Sequence, residues 1–175
     1  TATRTINYVK TSDGSKVTEP VPQNVTFNRT GTEDLLTHKV TFPDWQAQTV
    51  EAVTSPTIPG YTPDQATVPS ASLMPDDNLV VTVKYAADNQ QATVIYVDGS
   101  NKQIIPSQTI TGETDTAVDH SQIKPNIQAA MDKGYTVATD GTRGAKFGTS
   151  KDQTFVVTFV PIENASVTTN LVPHD

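Results

Sequence analysis

Apolar and polar residues alternate along short runs of this chain, the two-residue period of a half-buried strand. In Thr5 to Lys10, Ile6 and Tyr8 share one face and Asn7 lies on the other. In Ala92 to Val97, Val94 and Tyr96 occupy the same places. Leu79, Val81, Val83 and Tyr85 fall on one side of a third run, and Thr154 to Phe159 repeats its Val-Val-Thr core. One stretch, Asp119 to Lys133, carries helical spacing, with Ile123, Ile127, Ala130 and Met131 as its apolar stripe. Asp119 or Ser121 can cap it, Pro125 is tolerated only in the first turn, and Gly134 stands where a helix stops.

The turns make the pattern a duplication. Ser12-Asp13-Gly14-Ser15 follows the first strand, its Gly suited to a positive φ, and Asp98-Gly99-Ser100-Asn101 follows the strand of the second half. Each return strand is broken by proline, at Pro20 and Pro22 and again at Pro106, which implies an edge strand or a bulge. Gly60-Tyr61-Thr62 recurs as Gly134-Tyr135-Thr136, and a Val-Val-Thr strand closes each half. Tyr96 follows Tyr8 by 88 positions and Gly134 follows Gly60 by 74, so the first half carries 14 residues more before its Gly-Tyr-Thr. That surplus holds His38 and Trp45, and since the two halves differ most there, both are candidate ligand contacts. Within it His38 to Phe42 is a short strand candidate with Val40 facing inward, and Gln46 to Thr54 mixes helix and strand signals.

The small polar stretch Ala86 to Gln90 marks the boundary, giving modules at 1–87 and 88–162 and a linker, or the start of another unit, at 163–175. A hairpin, a crossover containing a helix and further strands predict a strand-rich α+β class. The common small solution is a mixed sheet with one helix across it, the β-grasp or ubiquitin-like arrangement, here twice in an elongated tandem. A final strand returning beside the first would put Tyr96 and Phe159 in one core.

Composition narrows the function classes. The chain has 175 residues, 35% of them hydrophobic, and a net charge of −7. An acidic chain repels phosphate backbones and anionic membranes, which argues against nucleic acid and membrane-surface partners. No apolar run reaches the ~18 residues of a membrane span. Thr1 opens the chain with no signal-peptide pattern, which reads as a segment of a longer protein. Cysteine is absent, which removes disulfides, thiol catalysis and Cys-type zinc sites.

Candidate chemistry is sparse. Asp119-His120-Ser121 sets acid, base and hydroxyl side by side, but a triad is defined by spatial geometry, and helix capping is the better reading. Asp76-Asp77 lacks an apolar pocket that would raise one carboxyl, so no enzyme is expected. No cofactor is implied. No calcium-loop motif occurs, although calcium held by ligands distant in sequence stays open. Gly141, Gly144 and Gly148 miss every nucleotide-binding spacing and read as a loop; its Arg143 and Lys146 are candidate contacts for acidic sugars. Trp45 is a candidate for stacking on a sugar ring, against the commoner role of a lone Trp as core. Tyr61 and Tyr135 read as packing residues. Asn24, Asn28 and Asn164 open sequences of the N-glycosylation type, which are chance matches if the source is bacterial. Lys, Asn and acidic residues sufficient for an isopeptide cross-link are also present.

Val94-Ile95-Tyr96-Val97-Asp98-Gly99, the proline-broken return strand and Gly134-Tyr135-Thr136 resemble the mucin-binding domain of bacterial surface adhesins. Arg4-Thr5-Ile6-Asn7-Tyr8, Val25-Thr26-Phe27-Asn28-Arg29, Trp45 and Gly60-Tyr61-Thr62 resemble the first part of a Mub repeat. The resemblance covers about residues 3–162. It implies a repeat of a cell-wall-anchored adhesin of lactobacilli and related Gram-positive bacteria, outside the cell, between neighbouring repeats of the same chain. The partners it implies are mucin or other host glycoproteins, and immunoglobulins in some members. It identifies no binding residue. A spacer repeat without its own ligand is the competing reading.

Overall fold

The computed structural model describes residues 1–165. The expected linker at 163–175 therefore lies almost wholly outside the described residues, as does His174. The chain divides into two compact units, the first Thr1–Ala86 and the second from Ala87 onward.

In the first unit β1 (Ala2–Lys10) and β2 (Lys16–Val25) form a hairpin, seven short strands follow, and β10 (Asn78–Ala87) ends the series. The short strands are β3 (Thr32–Glu33), β4 (Val40–Thr41), β5 (Gln48–Val50), β6 (Val53–Thr54), β7 (Tyr61–Pro63) and β8 (Thr67–Val68), with β9 (Ala71–Leu73) closing the crossover. The main sheet runs β2-β1-β10-β7, and β10 lies parallel to β1 with Tyr8 opposite Val83. The other strands pair as three small ribbons, β3 with β4, β5 with β9 and β6 with β8.

In the second unit β11 (Asn89–Asp98) and β12 (Gln103–Glu113) form the hairpin. A single 3₁₀ turn (His120–Gln122) leads into α1 (Lys124–Asp132), followed by β13 (Tyr135–Asp140), β14 (Gln153–Pro161) and the short α2 (Ile162–Ala165). The sheet order is β12-β11-β14-β13, again with the last long strand parallel to the first and Tyr96 opposite Val157.

The duplication extends to the packing. Tyr8 meets Tyr85 edge-on with centroids 6.3 Å apart, and Tyr96 meets Phe159 at the same 6.3 Å, in one buried cluster as expected. Both hairpins slip register at the same place, between Ile6 and Tyr8 and between Val94 and Tyr96, opposite the proline-bearing segments. Proline gives no ladder donor, so the strand bulges there instead of breaking. Tyr61 and Tyr135 each pack half-buried on the core of their own unit. The two turns differ in their solution. Gly14 takes the positive φ (73°) in the first, whereas Asn101 (63°) does so in the second and Gly99 does not. Asp13 and Asp98 organise both turns by accepting the backbone N–H of Ser15 and Ser100.

Three expectations are corrected. Val40 is exposed, because β3 and β4 form a two-residue ribbon lying on no core. Met131 is exposed, since the helix buries only Ala130 fully and half-buries Ile127. Among the described residues the first unit has no helix. Its crossover is instead held by Arg4, only 2% exposed, whose Nε donates to Gln23 Oε1 (2.7 Å), Nη1 to Pro69 O (2.6 Å) and Nη2 to Glu51 O (2.9 Å). One guanidinium fork thus ties β1 and β2 to two loop segments that carry little apolar surface of their own.

Candidate functional site

The most elaborated surface feature of the first unit lies where the extra residues fall. β2 runs on into Phe27, which packs half-buried against the small core of Ala2, Val50 and Leu73. Two residues further, Arg29 emerges exposed. The β3–β4 ribbon turns the chain back, so that Phe42 and Trp45 return beside Phe27 and Arg29. Gly31 permits the close return, since a Cβ there would stand 2.8 Å from Phe42 Cε1 and 2.9 Å from Val40 Cγ1.

Trp45 is half-buried and meets Phe27 at 88° with centroids 6.2 Å apart. It belongs to none of the buried clusters, so the common core role of a lone Trp is not the one observed. The Arg29 guanidinium carbon lies 4.2 Å from the Trp45 centroid and 4.9 Å from that of Phe42, and Nη1 donates to Pro43 O at 3.0 Å. The cation is thereby fixed by two aromatic rings and one carbonyl, the geometry in which quadrupole attraction works. Phe27, Arg29, Asp44, Trp45 and Gln48 border a cleft of about 370 Å³.

His38 sits in the turn of the β3–β4 ribbon at φ 58°, its backbone N–H donating to Asp34 O at 2.7 Å. Asp34 Oδ1 accepts the N–H of Leu36 (2.8 Å) and Thr37 (3.2 Å), which leaves Leu35 and Leu36 81% and 92% exposed at the tip. No contact joins His38 to Trp45. Arg143 and Lys146 lie in the second unit, each beside a carboxylate: Arg143 Nε is 3.8 Å from Asp140 and Lys146 Nζ is 3.9 Å from Asp115. Two of the four sequence candidates thus lie in each unit. Phe27, Arg29 and Phe42, which complete the site at Trp45, are absent from that set.

The second unit shows what Asp119-His120-Ser121 does. Asp119 caps the 3₁₀ turn, accepting Ser121 N (3.0 Å) and Ser121 Oγ (2.8 Å). His120 turns away to Asp140, with Nε2 and Oδ2 3.1 Å apart. Burial alone would raise the Asp140 carboxyl, but donation from Thr142 Oγ1 (2.6 Å) and Thr142 N (2.8 Å), joined by His120, holds it below the ordinary Asp range. Burial pushes the neighbouring Tyr96 hydroxyl up to about 12, and it donates to Gln108 Oε1 at 2.5 Å. These groups are occupied in holding the fold. Among the described residues no group of three or more His, Asp or Glu is placed to hold a metal, and no lysine is buried as a Lys–Asn cross-link would require. No helix among them is long and apolar enough to cross a membrane.

The first of the two strand-rich units thus carries a surface cleft built from aromatic rings and a fixed cation. The chain belongs to the Muc B2-like domain family, whose model matches residues 1–90, and the model of the mucin binding domain matches residues 90–160. This is a family of mucin-binding adhesion domains and not of enzymes. Similar solved structures include the mucin-binding domain of Spr1345 from Streptococcus pneumoniae, 36% identical with a TM-score of 0.44 over 50% of this chain and 89% of that one. The type 2 repeat of the mucus binding protein MUB from Lactobacillus reuteri is 36% identical with a TM-score of 0.42, over 50% and 48%. The MucBP domain of the adhesion protein from Pediococcus pentosaceus is 33% identical with a TM-score of 0.41, over 50% and 97%. The matched part thus spans about half of the MUB repeat and nearly all of the Pediococcus domain. No curated protein matches the chain.

Proposed function

We propose that this chain is an extracellular adhesion module that binds mucin glycoproteins, as one repeat of a cell-wall-anchored adhesin. The observation that carries the reading is the pair of mucin-family matches, which run end to end over residues 1–160. Two strand-rich modules, 1–87 and 88–162, form the repeat, the second a β-grasp with its helix and the first a sheet of the same strand order without one. The saccharide contact lies in the first, at the cleft of Phe27, Arg29 and Trp45. Aromatic bodies with a polar rim suit a carbohydrate, whose faces are apolar and whose edges are hydroxyls. An open cleft of this kind binds weakly, and strength comes from repetition along the parent chain. Retention on immobilised mucin, compared for one, two and four tandem copies, tests this. The reading expects retention to rise steeply with copy number; a flat response contradicts it.

A further inference from the structure

We infer that the cleft of the first unit selects anionic saccharides, with Arg29 as the specificity-determining residue. The inference rests on the proposed mucin-glycoprotein reading and names the ligand chemistry of that same site. Its starting point is the difference between Arg29 and the cations of the second unit. Arg143 and Lys146 each stand beside a carboxylate, and Asp140 and Asp115 already oppose their charge. Among the described residues no carboxylate comes within ion-pairing distance of Arg29. Its rings and the Pro43 carbonyl fix the guanidinium plane while using one of its five N–H donors. A preorganised fork with donors to spare matches the two oxygens of a carboxylate or a sulfate ester, the bidentate geometry in which arginine exceeds lysine.

The same placement works against a neutral sugar. Arg29 lies over the Trp45 ring at 4.2 Å, and Phe27 stands against the ring at 88°. A sugar stacking on the Arg29 side must first displace the guanidinium, whereas an anionic sugar uses it in place. Asp44 borders the cleft and opposes an anion, but it does not reach Arg29, so its effect is a longer-range penalty that salt and solvent screen.

Trp45 is the only tryptophan, so its fluorescence reports the cleft directly. The full chain is titrated with N-acetylneuraminic acid, galactose 6-sulfate and galactose, with retention on mucin measured in parallel. The expected result is a saturable change with one or both acidic sugars, locating the carboxylate or sulfate source, and none with galactose at equal concentration. Arg29→Gln should weaken the acidic-sugar response about tenfold or more, Arg29→Lys should lose several-fold while keeping the preference for acid, and Asp44→Asn should gain about twofold. Arg29 is exposed, and an unchanged thermal midpoint verifies that each variant is folded. Galactose equal to the acidic sugars, or Arg29→Gln equal to wild type, overturns the inference. So does a silent Trp45 in a protein still retained on mucin, which leaves the adhesion reading standing. Loss of retention together with silence on every sugar overturns both.

Discussion

Arg4 makes the first unit's dependence on one polar clip measurable. Replacing it with Met keeps a flexible chain of comparable reach and removes all three donors. Pro69 O and Gln23 Oε1 lose their donor from this side, while Glu51 O keeps the Gln23 amide at 2.9 Å. Pro69 and Glu51 belong to exposed residues, so water can recover part of the loss. At the low end of about 1.5 kcal/mol per bond to a charged group the three bonds sum to about 4–5 kcal/mol, and relief of the buried charge brings the expected loss to about 3 kcal/mol. For a unit of this size that is about 12 °C or more in the midpoint. Trp45 reports the first unit alone because the second contains no tryptophan. Urea unfolding followed by Trp45 emission therefore isolates the effect. Arg4→Lys keeps the charge but not the planar fork, and is expected to lose about 2 kcal/mol or more. A loss below about 0.5 kcal/mol for Arg4→Met, or a Lys variant equal to wild type, refutes the clip.

Three further outcomes follow from particular contacts. Gly112→Ala would put a Cβ 2.3 Å from Phe147 Cε2 in the second core; this should cost about 1–3 kcal/mol, read as a drop in the second unit's calorimetric transition. Gly31→Ala meets only the outer edge of the exposed Phe42 ring and the Val40 side chain, so it should leave stability within about 0.5 kcal/mol while weakening the cleft's sugar response severalfold. Asp140 has a folded pKa below its unfolded one, so its contribution is complete above the ordinary Asp value of about 4 and is lost as pH falls through the lower folded value. Asp140→Asn should flatten that acid limb in pH-dependent denaturation of the second unit, and an unchanged limb counts against the assignment.

The long strands were legible because each is half-buried and carries its own alternation, and because the duplication shows every one twice. The helix was legible from Ile123, Ile127 and Ala130, with Gly134 supplying a φ of 94° at its end. The first crossover was not. Its strands are two or three residues long, too short to show a period, and they are placed by tertiary bonds from Arg4 that no local pattern records. The cleft was legible only in part. Trp45 drew notice by its rarity, but Arg29 stood within a glycosylation-like triplet and Phe27 at a strand end. The fold joins them through a ribbon that sequence spacing does not reveal. A signal existed in Phe27-x-Arg29-x-Gly31 and Phe42-x-x-Trp45, two aromatic segments flanking a glycine that admits a ring. Arg143 and Lys146 drew notice by residue type, and type alone does not show that a carboxylate stands beside each.

The most direct test of the account is retention of the full chain on immobilised mucin beside its Arg29→Gln/Trp45→Ala double variant, both verified as folded by their thermal midpoints. The account predicts measurable retention of the wild type and a loss of about tenfold or more in the variant. Equal retention of the two proteins, or none by the wild type even in tandem copies, would contradict it.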